Sequence, residues 1–217
     1  KKGLMQNRKK VWFNNLDETT GMLNLGVITP SPFIKNTDFV YNTDSVNIDI
    51  TQAHSVLFGL EIRHTFTRLI ILQTGINFIR RNYDLNFNSE DHSEKTRLKF
   101  VGYETPVQWL IYIHLSEKFL MNTALGFCIN YFPSDIATET VYLMRHRWLK
   151  TSLIANVGWE FRSEKAGIFH LGASYQYHWK ELAYGLIHNI PGSNYDFHVY
   201  GNYFSVNFKY SFPFKNF

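Results

Sequence analysis

WLKTSLIANVGWEFRS, residues 148–163, alternates with a period of two from end to end. Leu149, Thr151, Leu153, Ala155, Val157, Trp159 and Phe161 share one face, while Lys150, Ser152, Ile154, Asn156, Gly158 and Glu160 share the other. Side chains that change face at every residue define a β-strand, since a helix returns to the same face only every three to four residues. The apolar face carries no charge, and the opposite face is mostly polar, with Ser152, Asn156 and Gly158 small. Which of the two looks outward decides the fold.

The same alternation recurs in KFLMNTALGFCINYF (118–132) and AGIFHLGASYQYHWK (166–180), and helical periodicity almost never appears. Applied throughout, it predicts eight strands, at about 20–30, 54–66, 68–87, 97–115, 118–132, 147–162, 166–182 and 200–214. Tight turns follow the even-numbered strands, around Thr67, 116–118 and 163–166. Long polar stretches follow the odd-numbered ones, at 31–53, 88–96, 133–146 and 183–199. Short turns at one end, long loops at the other and an even strand count are the asymmetry of an outer-membrane barrel. The expected fold is all-β: an eight-stranded antiparallel up-and-down transmembrane β-barrel with short periplasmic turns and long extracellular loops. Residues 20–217 form the barrel, and residues 1–19 a basic periplasmic segment with Lys1, Lys2, Arg8, Lys9 and Lys10.

Two water-soluble architectures share the alternation: a lipocalin-like barrel, apolar inside, and a β-sandwich with an aromatic core. Charge placement argues against both. The apolar faces of the last four strands hold no Asp, Glu, Lys or Arg, as a lipid face requires, because a Lys or Arg at mid-bilayer costs about 2–4 kcal/mol. The polar faces carry Gly59, Gly75, Gly126, Gly158 and Gly172 with Ser, Asn and Gln, suiting the cramped lumen of a small barrel. Trp109, Trp159, Trp179, Tyr175 and Tyr177 are read as an interfacial girdle, with Phe212 and Phe214 at the periplasmic rim. Composition agrees: of the 217 residues 17% are aromatic and only 18% charged, below the usual ~25% charged. The net charge of +4 gathers into no stripe beyond the N-terminal run, so nucleic acid is not an expected partner. A single cysteine, Cys128, excludes an internal disulfide and reads as a small buried filler.

RLKFVGYETPVQWLIYIHL (97–115) opens a strand with Tyr103, Glu104 and Pro106. This element resembles the E-x-P that opens a central strand in the PorT-like outer-membrane β-barrel family of Bacteroidetes. FGLEIRHTFTRLIILQTGINFIRRNY, with Gln73 and Gly75, is similar to that family's second hairpin, and the terminal aromatic strand also agrees. Thr105 and the long first loop depart from the family's pattern. The resemblance implies an outer-membrane barrel of a Gram-negative bacterium, usually not an enzyme, sometimes serving a larger secretion or surface complex. Other outer-membrane or periplasmic proteins are then the expected partners, and no cofactor is implied. Independently of the family, Pro106 cannot donate to a ladder and is expected at a bulge or bend.

Glu61, Arg63, His114, Glu160, His170 and Lys209 are expected to point into the periplasmic half of the lumen. Charges in so narrow a space must pair. Two readings of this set stand: a network that fills the barrel, and a gate or proton-sensitive plug. Eight strands leave no through-channel, which argues against a porin. A lipid A-modifying barrel enzyme needs a nucleophile within reach of a base, facing lipid. His170 and Ser174 are about 13 Å apart along one strand, and His64 has no serine two positions away, so no enzyme is expected. His92, His146, His188 and His198 are too scattered for a zinc site. Arg145, Arg147 and Lys150, in MRHRWLK, stand near the outer leaflet, either against lipopolysaccharide phosphates or as a solvated basic loop. Finally, Phe208, Tyr210, Phe212, Phe214 and Phe217 mark the strand that closes the barrel on the first one. Their pattern resembles the signal read by the outer-membrane assembly machinery, with Phe214 or Phe217 as its last member.

Overall fold

The computed structural model describes residues 19–31, 40–42, 46–67, 70–89, 93–116, 118–133, 135–137, 141–145, 148–163, 166–187 and 195–211. These carry thirteen strands: β1 Thr19–Pro30, β2 Val40–Asn42, β3 Val46–Thr65, β4 Ile71–Ser89, β5 Ser93–His114, β6 Phe119–Tyr131, β7 Ile136–Ala137, β8 Val141–Arg145, β9 Leu149–Ser163, β10 Gly167–Tyr177, β11 Ala183–Ile187, β12 Tyr195–Val199 and β13 Tyr203–Ser211. Eight of them, β1, β3, β4, β5, β6, β9, β10 and β13, form an antiparallel sheet that closes on itself through β1, which pairs with both β3 and β13. The seam runs from Leu23 opposite Tyr210 to Pro30 opposite Tyr203. Closure removes the free edge that a lone sheet would expose. The predicted eight-stranded barrel and its closing pair are the observed ones.

The outward face is the apolar one. Along β9, Leu149, Leu153, Val157, Trp159 and Phe161 are exposed, while Ser152, Asn156 and Glu160 between them are buried. The alternation continues through β6, where Leu125, Phe127 and Ile129 face out and Cys128 and Asn130 face in. From Tyr103 to Ile113 the outward side of β5 climbs about 34 Å along the strand, which at a ~40° tilt is about 26 Å of height. That matches the apolar band of an outer-membrane barrel, and a closed barrel leaves no open sheet edge toward lipid. The chain is an integral outer-membrane β-barrel.

Three of the strands run further than the alternation of apolar residues predicts, because its phase inverts. On β4 the outward side reads Leu72, Ile76, Phe78 and then Arg80, Asn82, Asp84, while the inward side passes from Gln73 and Asn77 to Tyr83 and Leu85. On β5 the same exchange falls between Val101 and Lys99, with Leu98 and Phe100 buried inside. Below the exchange the barrel is polar within and apolar without; above it the arrangement is that of a water-soluble sheet. The stretches 31–53 and 88–96, read as loops, therefore hold β2 and the upper parts of β3, β4 and β5. The stretches 133–146 and 183–199 hold β7, β8, β11 and β12, paired as a separate four-stranded sheet.

Pro106 is not at a bulge. Its strand keeps one register along β4 from Ile71–Leu110 to Asn88–Ser93, with pairing interrupted only around Pro106. The bulge lies instead on β3, between Ala53 and Val56. There the Asn82 backbone N–H donates to Ser55 Oγ at 2.9 Å, and Asn82 Nδ2 donates to the His54 carbonyl at 2.7 Å. A missing donor at Pro106 thus costs one ladder contact and needs no extra residue. At the opposite end the turns are short; the one at 163–167 closes with Gly167 at φ 91°, a left-handed conformation suited to glycine.

Candidate functional site

Alternation places every second residue of the eight barrel strands inside, and the periplasmic half of the lumen is organised around two carboxylates. Glu61 of β3 accepts from Lys209 Nζ of β13 at 2.6 Å, from Gln73 Nε2 at 2.7 Å and from Asn24 Nδ2 at 2.8 Å. Glu160 of β9 accepts from Arg63 Nη1 at 2.7 Å, Arg162 Nε at 2.7 Å and the Tyr112 hydroxyl at 2.9 Å. Arg63 and Arg162 also lie over the Tyr112 ring, at 5.5 and 5.4 Å from its centroid. Gln73 joins the two carboxylates, since it accepts from Arg63 Nη2 at 3.2 Å while donating to Glu61. Each charge meets a partner of opposite sign, the condition for tolerating ions away from water.

Five of the six predicted lumen residues, Glu61, Arg63, Glu160, His170 and Lys209, are buried there. His170 lies beside the charged set rather than in it and meets Asn122 Oδ1 through Nε2 at 3.2 Å. Its ring crosses two glycines: a β-carbon at Gly158 or Gly172 would approach it to 2.6 Å. His114 departs from the expectation. It ends β5 at the periplasmic rim and is exposed, because the strand there has already left the lumen.

A second layer, in the extracellular half, went unpredicted. Arg81 Nη2 donates to Glu104 Oε1 at 2.7 Å, and the Tyr203 hydroxyl donates to Glu104 Oε2 at 2.7 Å. The Arg81 guanidinium stacks over Phe132 and Tyr203 at 5.4 and 5.3 Å. Beside it, Gln176 Nε2 donates to Asn130 Oδ1 and Ser152 Oγ, both at 2.8 Å. Glu104 of the Tyr103–Glu104–Pro106 element is thus a lumen anion, whereas Tyr103 is outward and stacks with Phe78 and Tyr131. The signal for Arg81 was its spacing: counting in twos from Gln73 along β4 separates Arg81, inside, from Arg80, outside. Between the two layers lies a cavity of about 20 Å³ bordered by Glu61, Glu104 and Lys209, room for about one water molecule.

The remaining assignments fall as follows. Lys150 donates to the backbone carbonyls of Glu181 and, at 3.0 Å, Leu182; it faces inward and ties down the start of β11 instead of meeting lipid. Arg145 pairs in β8 opposite Ala183, and Arg147 lies outside the described residues. Phe208 and Tyr210 are on the outer side of β13, where Tyr210 packs on Phe169 at 5.0 Å. Phe212, Phe214 and Phe217 lie outside the described residues, as do the segment 1–18 and His92, His146 and His188. Among the described residues no group of His, Cys, Asp or Glu could hold a metal ion, and Cys128 is buried. One pair that the sequence reading did not find is Thr19 Oγ1 and His64 Nδ1, 2.8 Å apart on the outer wall across the β1–β3 pairing. The His64 ring also meets the Phe66 ring edge-on at 4.4 Å.

A lumen packed with paired charges inside an apolar outer band defines the class: an outer-membrane barrel whose interior is filled. No protein-family model and no curated protein sequence matches the chain. Among solved structures, the outer membrane protein OprG from Pseudomonas aeruginosa has the same fold, with a TM-score of 0.63 over 94% of this chain and 99% of that one, at 10% identity. The translocator domain of the autotransporter NalP from Neisseria meningitidis aligns over 97% of this chain and 96% of that one at 11% identity, with a TM-score of 0.36, too low to carry a comparison.

Proposed function

We propose that this protein is a sealed, non-enzymatic barrel of the PorT-like type that serves as a structural or accessory subunit of a larger outer-membrane assembly. The observation that supports this most is the double layer of buried ion pairs, Glu61–Lys209 with Arg63–Glu160 below and Arg81–Glu104 above. With the lumen filled, conduction is not the barrel's work, and function falls to its outer surfaces. Those surfaces are the extended hairpins of β3, β4 and β5 and the separate sheet of β7, β8, β11 and β12.

Native gels of membranes dissolved in mild detergent test the subunit role. The proposal requires migration as a defined complex well above the 25.6 kDa of the chain. Migration as a lone barrel under every mild condition would overturn it. In planar bilayers the purified protein should show no discrete conductance steps; regular steps would overturn the sealed lumen.

The Thr19–His64 contact supports a second reading, a barrel that transfers or hydrolyses an acyl chain with Thr19 as nucleophile and His64 as base. The pair stands at the short-turn end of the wall, against the inner leaflet, so mass spectra of the phospholipids and lysophospholipids from cells carrying the wild type and Thr19→Ala decide it. An unchanged acyl pattern leaves the non-enzymatic reading standing.

A further inference from the structure

On the outer wall of β4 and β5 the apolar band ends abruptly and a basic patch begins. Arg80, Lys95, Arg97 and Lys99, with Asn82 and Asp84, line an open groove of about 460 Å³. Register sets the patch: Lys99 lies opposite Asn82, Arg97 opposite Asp84, and Arg80 opposite Val101, the last apolar outward residue of β5. Four cations face one carboxylate in this groove. That carboxylate serves to aim a guanidinium: Arg97 Nε and Nη2 reach the two Asp84 oxygens at 2.6 and 3.2 Å, and the Arg97 side chain is still 56% exposed. Asp49 of β3, opposite Asn86, is an acid on the neighbouring strand, and Glu94 precedes Lys95 on β5 opposite Phe87.

Height identifies the occupant. Arg80 follows Phe78 by one outward step, about 7 Å along the strand and some 5 Å in height. Headgroups add about 5–7 Å to each side of the hydrocarbon. Arg80 and Lys99 therefore stand in the headgroup layer of the leaflet away from the short turns, the outer one, and Arg97 and Lys95 stand just above it. Phosphate suits them: guanidinium binds it through two parallel hydrogen bonds, and ammonium as a point charge.

We infer that this groove is a binding site for the phosphate groups of an outer-leaflet glycolipid. It rests on the membrane-spanning fold and not on any subunit role. Seated there, the lipid would lay its acyl chains along Phe78, Val101 and Tyr103 below and its phosphates between the two strands above. Lys150 of MRHRWLK, the other candidate for phosphate contact, is held instead by the backbone carbonyls of Glu181 and Leu182.

The test is native mass spectrometry of the refolded barrel in detergent with added diphosphorylated lipid A, its dephosphorylated form, or inorganic phosphate. Wild type should retain lipid A and not the dephosphorylated form. Arg80→Gln with Lys99→Gln should lose at least tenfold in lipid A retention, while Lys118→Gln, an exposed lysine near the periplasmic turn, should lose none. Equal retention by wild type and the double variant would overturn the site, as would equal binding of the two lipid forms. Retention of inorganic phosphate without lipid A would overturn the lipid as its ligand. Should the double variant fail to fold, molar salt applied to the wild type replaces it: screening shortens to about 3 Å, so lipid A must be released, and salt-insensitive binding would refute the site.

Discussion

Replacing Glu160 with Gln removes the charge on which the lower lumen turns. The carboxylate accepts from Arg63, Arg162 and Tyr112 at 2.7, 2.7 and 2.9 Å, and its side chain is 0% exposed. The amide keeps one acceptor oxygen but leaves two guanidinium groups without a counter-charge. Arg162, nearer the rim and 16% exposed, can turn toward water, whereas Arg63 at 6% cannot. The loss is therefore that of one broken buried pair, at the lower end of the 3–5 kcal/mol range, or about 3 kcal/mol. Urea unfolding in phospholipid vesicles, followed by tryptophan fluorescence and heat-modifiable gel migration, reads it directly. Arg63→Gln in the same chain should recover part of the loss, giving a coupling of about 2 kcal/mol between the two sites. A Glu160→Gln barrel as stable as wild type within about 0.5 kcal/mol, or strictly additive losses, would refute the paired lumen.

Three more outcomes follow from other parts of the wall. Leu125→Arg, at an outward position 63% exposed at mid-strand, should cost about 2–4 kcal/mol in the vesicle assay; no cost would place that face in water. Gly158→Val should displace the His170 ring, which a β-carbon would meet at 2.6 Å, at an overpacking cost of about 1–3 kcal/mol in the same assay. The Arg97 hydrogen bonds hold the Asp84 carboxyl below its ordinary 3.8. The folded-state value being depressed, the pair's contribution is present above the ordinary value and fades as pH falls through the lowered one. A carboxyl titration followed by NMR should find the Asp84 midpoint below 3.8, and Arg97→Gln should raise it.

The barrel itself was legible because lipid and lumen impose opposite demands on alternate residues, and 148–163 displays both without interruption. Closure was legible too, since Phe204, Val206 and Phe208 had to find a strand with the same outward face, and β1 supplies it. Where the reading stopped short, the solvent had changed. Above Phe78 and Val101 water replaces lipid outside, apolar residues move inside, and a search for an apolar outer face finds only polar loop. The same inversion concealed the basic groove, because Arg80 and Lys99 belong to strands taken to end near them. Arg81 and Glu104 were hidden for another reason: in the β4–β5 register Arg81 stands opposite Phe100 and Glu104 opposite Asn77, so the two meet diagonally, through the reach of the guanidinium along the lumen. Charge in MRHRWLK was visible, but not that Lys150 turns inward to backbone carbonyls.

One measurement bears most directly on the central claim, that this is a membrane-spanning barrel with lipid outside and a filled polar lumen. With Cys128 changed to Ser, single cysteines placed from Ser152 to Trp159 and carrying an environment-sensitive fluorophore are scanned in vesicles containing a lipid-phase quencher. Quenching at 153, 155, 157 and 159, with little at 152, 154 and 156, is the predicted result. The opposite alternation, or none, would contradict it.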